Sequence, residues 1–167
     1  MHGTFCAVHS FSVNGTHQNQ HSMNKSLFLA DDDIDDRMLF EDALNEIYTG
    51  VDLVTAVDGE ELMQKLQQRL PSLPSVVFLD INMPRKNGFQ CLREMRERTL
   101  LQDIPVVIIS TSNEERIIEK SYSQGANYYI CKPNSFEKLK QAIHDVMRLD
   151  LPLRATQPSK EEFLLQY

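Results

Sequence analysis

Two uninterrupted apolar runs, Val76-Val77-Phe78-Leu79 and Val106-Val107-Ile108-Ile109, constrain this chain more than any other feature of it. Each is too short for a buried helix and each is bounded by breakers. Pro71 and Pro74 precede the first, and Pro105 leads into the second. A strand with one face in water alternates apolar and polar residues; a strand without that alternation is covered on both faces. The chain must therefore build a sheet lying between layers of helix.

The rest of the pattern completes that architecture. Leu27-Phe28-Leu29-Ala30 is a third short run and ends in acids. Phe40, Ala43, Leu44 and Ile47 then recur at i, i+3, i+4, i+7, the spacing of one helix face, with Gly50 placed as the C-terminal cap. Val51 to Ala56 reads as the second strand. Asp58 with Glu61 forms an N-cap pair opening a helix that carries Leu62, Met63 and Leu66 on one face. Phe89, Leu92 and Met95 mark the helix after the third strand. Ser112 and Glu115 read as a capping box for a helix bearing Ile118 and Tyr122, closed by Gly125. Asn127 to Ile130 is a short fifth strand, and Phe136, Leu139, Ile143 and Val146 make a last helix capped by Asn134 or Ser135. Five β-α units imply an α/β, doubly wound, five-stranded parallel sheet with helices on both faces. Its expected strand order is 2-1-3-4-5, with a ligand crevice where strands 1 and 3 meet.

Composition narrows the function classes. The chain has 167 residues, with 17 basic against 24 acidic side chains and a net charge of −7, which argues against direct binding of nucleic acid. No apolar run approaches the roughly 18 residues that span a membrane. Cys6, Cys91 and Cys131 are odd in number and widely spaced, so they form neither a disulfide framework nor a Cys-x-x-Cys metal site; reduced thiols fit a cytoplasmic location. Residues 1–24 hold four of the five histidines and no acid, and they show no helical or strand period. We read them as a disordered leader, with Met23 a candidate native start. Residues 25–148 form the patterned domain. Residues 149–167 read as a tail or a short docking helix, too few for an output domain.

The chemistry gathers at the strand ends. Strand 1 ends at Asp31-Asp32-Asp33, strand 3 at Asp80, strand 4 at Ser110-Thr111 and strand 5 at Cys131-Lys132-Pro133. In a parallel sheet these ends share one edge. Several carboxylates in one crevice repel unless a cation offsets them. Mg²⁺ fits, being a hard ion that takes one or two carboxylates, waters and a phosphate oxygen. Lys132 supplies a point charge for the same phosphate, and Ser110 a hydroxyl. A carboxylate in this setting is a nucleophile toward phosphorus, and Asp80, alone after its strand, is the candidate. Asp31 and Asp32 are the metal holders. Asp35 and Asp36, and Asp33 with them, read as a solvated helix start favoured by the helix dipole.

These residues resemble the receiver domains of two-component response regulators over residues 25 to 148. The likeness rests on Leu29-Ala30-Asp31-Asp32, on Phe78-Leu79-Asp80-Ile81-Asn82-Met83-Pro84 with Asn87-Gly88, on Ile109-Ser110-Thr111, and on Tyr129-Ile130-Cys131-Lys132-Pro133. The resemblance implies that Asp80 accepts a phosphoryl group from a sensor histidine kinase or hybrid kinase. It implies Mg²⁺ held by Asp31, Asp32, Asp80 and the Asn82 backbone carbonyl. It also implies Lys132 on the phosphoryl group across a cis bond to Pro133, and Ser110 and Tyr129 as switch residues. A stand-alone receiver of this kind signals by docking a downstream protein or by passing the phosphate to a phosphotransfer partner. Ile109-Ser110-Thr111-Ser112 and the tail are similar to small receivers that partner phytochrome-type or other hybrid kinases. A homodimer through helix 4, strand 5 and helix 5 would cover unpaired apolar positions there. Thr111 departs from the smaller residue many receivers carry.

Two other chemistries compete. A haloacid dehalogenase-like Mg-dependent aspartyl phosphatase would use Asp31-x-Asp33 and late acids, for which Asp145 and Asp150 are available. A calcium loop of the EF-hand kind would use Asp31, Asp33, Asp35 and Asp42, although Asp36 stands where that loop needs glycine. A receiver-like scaffold that never accepts phosphate is a third reading.

Overall fold

A computed structural model describes residues 21–22, 25–149, 151 and 157–167. Its elements run β1 Ser26–Ala30, α1 Ile34–Ile47, β2 Asp52–Ala56, α2 Gly59–Gln68, β3 Val76–Leu79, α3 Gly88–Glu97, β4 Val106–Ser110, α4 Glu115–Ser123, β5 Tyr128–Cys131, α5 Phe136–Arg148, α6 Lys160–Phe163 and β6 Leu164–Leu165. The main sheet is parallel throughout, in the order β2-β1-β3-β4-β5-β6. The expected order 2-1-3-4-5 is present, and β6 adds a sixth strand outside β5.

The apolar runs divide by alternation, as a strand buried on both faces requires. Phe28, Ala30, Val77, Leu79, Val106, Ile108 and Tyr129 pack into one core with α2, α3 and α4. Leu27, Leu29, Val76, Phe78, Val107, Ile109 and Ile130 pack into the other with α1 and α5. Asp58 and Ser135 cap α2 and α5 by accepting from Glu61 N and Lys138 N. After α4, Ala126 N donates to Ser121 O and Gly125 N to Tyr122 O, with Gly125 at φ 88. That is a Schellman ending, and it needs a residue tolerant of the left-handed region.

Three local readings are corrected. Gly50 does not cap α1: the helix stops at Ile47, and Tyr48–Thr49 pairs in parallel with His21–Ser22 before Gly50 turns the chain at φ 77. Pairing with that preceding segment ended the helix earlier than the sequence pattern did. It also puts a two-residue strand inside the expected leader; residues 1–20, 23 and 24 lie outside the described residues. Ser112 and Glu115 form no capping box, because α4 starts two residues later, at Glu115. Its N-cap Glu114 makes no side-chain cap bond, and Ser112 Oγ instead accepts from Glu114 N at 3.3 Å.

The tail holds a short helix, Lys160–Phe163, and adds a strand that was not expected. Residues 157–167 close the sheet edge, with Leu164 opposite Tyr129 and Leu165 opposite Ile130. Phe163 is 2% exposed and lies edge-on to Tyr122 at 5.1 Å. Gln157 Nε2 donates to Tyr122 O at 2.5 Å and Ala126 O at 2.7 Å, and Tyr122 Oη donates to Pro158 O at 3.0 Å. Leu164 packs against the α4 side and Leu165 against the α5 side, so one short strand seals both cores. The apolar cover that motivated a homodimer through α4, β5 and α5 is thus supplied by the chain itself.

Candidate functional site

The carboxyl ends of β1, β3, β4 and β5 form one edge, and the side chains just past them meet there. Asp31 is 2% and Asp80 5% exposed, while Asp32 is open to solvent. The backbone fixes both buried acids. Asp31 N donates to Ala56 O at 3.1 Å and Asp80 N to Ala30 O at 2.9 Å, extending the ladders one residue past the strands. Asp31 Oδ1 accepts from Asp33 N at 3.0 Å, and Asp80 Oδ1 accepts from Ile81 N at 2.8 Å. Oxygens of Asp31, Asp32 and Asp80 all lie within 4.8 Å of one another.

Lys132 enters from β5. Its Nζ is 2.7 Å from Asp31 Oδ2, 2.6 Å from Asp36 Oδ2 and 3.8 Å from Asp80 Oδ2. Burial alone would lower the Lys132 pKa, but hydrogen bonds to Asp31 and Asp36 and the field of Asp80 raise it above the ordinary lysine value. It is charged throughout the physiological range. Burial holds the Asp80 and Asp31 carboxyls above the ordinary aspartate range, with Lys132 offsetting part of the effect in each. A crowd of hard oxygens whose charges are costly to bury fits a hard divalent cation. Asp31, Asp32 and Asp80 can hold Mg²⁺, and the Asn82 segment lies beside Asp80, its backbone N–H engaging that carboxylate.

The loop after β3 is pinned from two directions. A Cβ on Gly88 would fall 2.2 Å from Asp80 O, so only glycine lets α3 start this close to the acid, and Gly88 N donates to Ile81 O at 3.0 Å. Arg85, at φ 60, pairs with the fully buried Asp58, and Gly59 N donates to Lys86 O at 3.1 Å. Sequence reasoning identified Asp58 as a helix cap and missed Arg85 altogether. Nothing in their spacing marks a contact between two loops.

Ser110 is buried at the end of β4, and its Oγ accepts from Ser112 N at 3.3 Å. Tyr129 is 0% exposed, donates to Ser112 O at 2.7 Å and interacts with the Ser110 side chain. The two expected switch residues therefore touch. Pro133 differs from expectation: among the described residues the cis peptide is Leu70–Pro71, and Lys132–Pro133 is trans. Trans is the isomer an X-Pro bond prefers, by about 0.5–1 kcal/mol.

Asp36 was read as part of a solvated helix start and is instead a Lys132 partner. The competing chemistries lose their groups. Asp33 is the N-cap of α1, its side chain accepting from Asp35 N at 2.8 Å, and residues 34–47 are helical where a calcium loop would be. Asp145 lies on α5 beside His144. Asp150 lies outside the described residues. Cys91 and Cys131 are free thiols, and burial pushes the Cys91 thiol up to about 12. Among the described residues no helix is long and apolar enough to cross a membrane.

Comparison with known proteins accords with this geometry. The model of the response regulator receiver domain matches residues 27–144. Response regulator Rcp1 of Synechocystis sp. (strain ATCC 27184 / PCC 6803 / Kazusa) is 29% identical over 126 residues, covering 73% of this chain and 86% of Rcp1. The crystal structure of the phosphorylated cyanobacterial phytochrome response regulator RcpA superposes with a TM-score of 0.70 at 35% identity, covering 81% of this chain and 99% of that one. Other curated relatives match over a smaller share of their length. The probable methanogenesis regulatory protein FilR2 of Methanothrix harundinacea (strain 6Ac) is 36% identical over 75 residues, which are 45% of this chain and 48% of FilR2. The chain spans about half the length of such relatives. With its acids, lysine and hydroxyl at the strand ends of a doubly wound parallel sheet, this chain belongs to the response regulator receiver family.

Proposed function

We propose that the chain is a phospho-accepting signalling domain in which Asp80 takes a phosphoryl group from a histidine kinase. The observation that carries this reading is the setting of Asp80. Its Oδ1 is held by the Ile81 amide, while its Oδ2 stands 3.8 Å from the Lys132 ammonium, among two further carboxylates. One oxygen is oriented and the other faces the crevice, which is what an in-line nucleophile needs.

An Asp80 oxygen attacks phosphorus. The new O–P bond forms as the bond to the donor's leaving group breaks, and that group departs with the electron pair. Asp31, Asp32, Asp80 and the Asn82 carbonyl would hold Mg²⁺, which would supply the charge that lets an anionic donor approach three acids. Lys132 hydrogen-bonds a phosphoryl oxygen, and Ser110 turns its hydroxyl toward another. Tyr129, in contact with Ser110, changes its surroundings with it, and the altered face around α4, β5 and α5 passes the signal to a downstream protein or phosphotransfer partner. Operation in the cytoplasm and the absence of direct nucleic-acid contact belong to the same reading, as does chemistry limited to the chain's own phosphorylation and dephosphorylation.

The test is intact mass after incubation with Mg²⁺ and acetyl phosphate, followed by transfer from a phosphorylated histidine kinase. The wild type gains one phosphoryl group and Asp80→Asn gains none. No gain from either donor overturns the proposal and leaves a phosphate-independent scaffold.

A further inference from the structure

A charge favourable to the start of α1 would explain Asp36 if it faced only water. It does not. Its Oδ2 accepts from Lys132 Nζ at 2.6 Å, across 96 positions of sequence. The same ammonium binds Asp31 Oδ2 at 2.7 Å and stands off from Asp80 Oδ2 at 3.8 Å. The lysine of the site is therefore drawn toward α1 by two carboxylates while the third receives only its field. A lysine ammonium has rotatable donors on a flexible stem, so it exchanges acceptors without moving the backbone.

We propose that Asp36 is a positioning residue that holds the Lys132 ammonium away from Asp80 and competes with an incoming phosphoryl oxygen for it. This rests on Asp80 being the phosphoacceptor. No proton moves: Lys132 stays charged and changes its acceptor from the Asp36 carboxylate to the phosphoryl oxygen as the O–P bond to Asp80 forms and the leaving group departs. The Lys132 contact to phosphoryl oxygen is made in the bound donor as well as in the transition state. Removing the competitor therefore lowers KM and leaves the maximal rate nearly unchanged.

The experiment follows phosphorylation by intact mass at fixed Mg²⁺ over a range of acetyl phosphate concentrations. The chains compared are wild type, Asp36→Asn, Asp36→Glu, and Lys132→Met with and without Asp36→Asn. Asp36→Asn lowers KM roughly fivefold with kcat within about twofold, a modest effect because the Asp36–Lys132 pair is partly wet. Asp36→Glu restores the wild-type KM. In the Lys132→Met background Asp36→Asn changes nothing, since its effect passes through the lysine. An unchanged KM in Asp36→Asn, or the same shift without Lys132, overturns the proposal. So does loss of Mg²⁺-dependent thermal stabilisation in Asp36→Asn, which would make Asp36 a metal ligand. Asp36→Ser is the second variant should Asn unfold the chain. A wild type that gains no phosphate from either donor defeats the parent reading; a phosphorylated wild type matched by Asp36→Asn defeats this inference alone.

Discussion

The ring of Phe163 lies 6.3 Å from the ring of Tyr129, tilted by 50°, and both are buried. A tail residue thus packs on the aromatic side chain whose hydroxyl reaches Ser112, in the loop after β4. The end of the described chain is part of the core beneath the candidate switch.

That relationship sets a stability expectation. Phe163→Ala removes a fully packed aromatic from the α4 side of the sheet and leaves a cavity against Tyr122 and Tyr129, at a cost of about 3–5 kcal/mol. Urea unfolding measures it. A change under about 1 kcal/mol would mean that residues 157–167 are undocked in solution.

The Asp80 carboxyl has a pH signature. Burial raises its pKa, with Lys132 opposing and Asp31 adding to the effect. An acid whose pKa rises on folding destabilises the fold when ionised. The penalty is absent below the unfolded-state value, accumulates as pH rises through the folded-state value, and is complete above it. In the presence of a chelator, Asp80→Asn raises the unfolding midpoint at neutral pH. The gain over wild type disappears as pH falls into the ordinary aspartate range. Thermal scans across pH check this, and a gain that grows on acidification contradicts it.

Magnesium links to stability through the same acids. Saturating Mg²⁺ stabilises the wild type, by about 2.7 kcal/mol at one hundred times its Kd. Asp32 is solvent-exposed. Asp32→Asn therefore changes metal-free stability by no more than about 0.5 kcal/mol yet abolishes the Mg²⁺ increment. Differential scanning calorimetry with and without chelator reads both quantities, and an increment that survives in Asp32→Asn removes this residue from the metal site.

Much of this protein is legible without coordinates, and the reason is local periodicity. A strand covered on both faces has to be apolar at every position, as Val76–Leu79 and Val106–Ser110 nearly are, and a helix on a sheet has to repeat at 3.6. Short-range chemistry is equally explicit: Asp58 and Ser135 cap, and Gly125 closes a helix, because their partners lie within a few residues. Strand order followed from the count of β-α units and the handedness of crossovers, and it brought Asp31, Asp32, Asp80, Ser110 and Lys132 to one edge.

Only the tertiary structure decided which side chains touch across that edge. The bond between Lys132 and Asp36 and the pair of Arg85 with Asp58 join segments far apart in sequence, where no period or motif records a contact. The sixth strand, Leu164–Leu165, is two residues long and has no pattern of its own; it forms because β5 leaves an open edge and Phe163 finds a cavity beside Tyr129. The bond before Pro133 is trans, the isomer that an X-Pro bond intrinsically prefers. Sequence determined the faces and ends of the elements, because those depend on neighbours along the chain. Folding determined the pairings between ends, because those depend on neighbours in space.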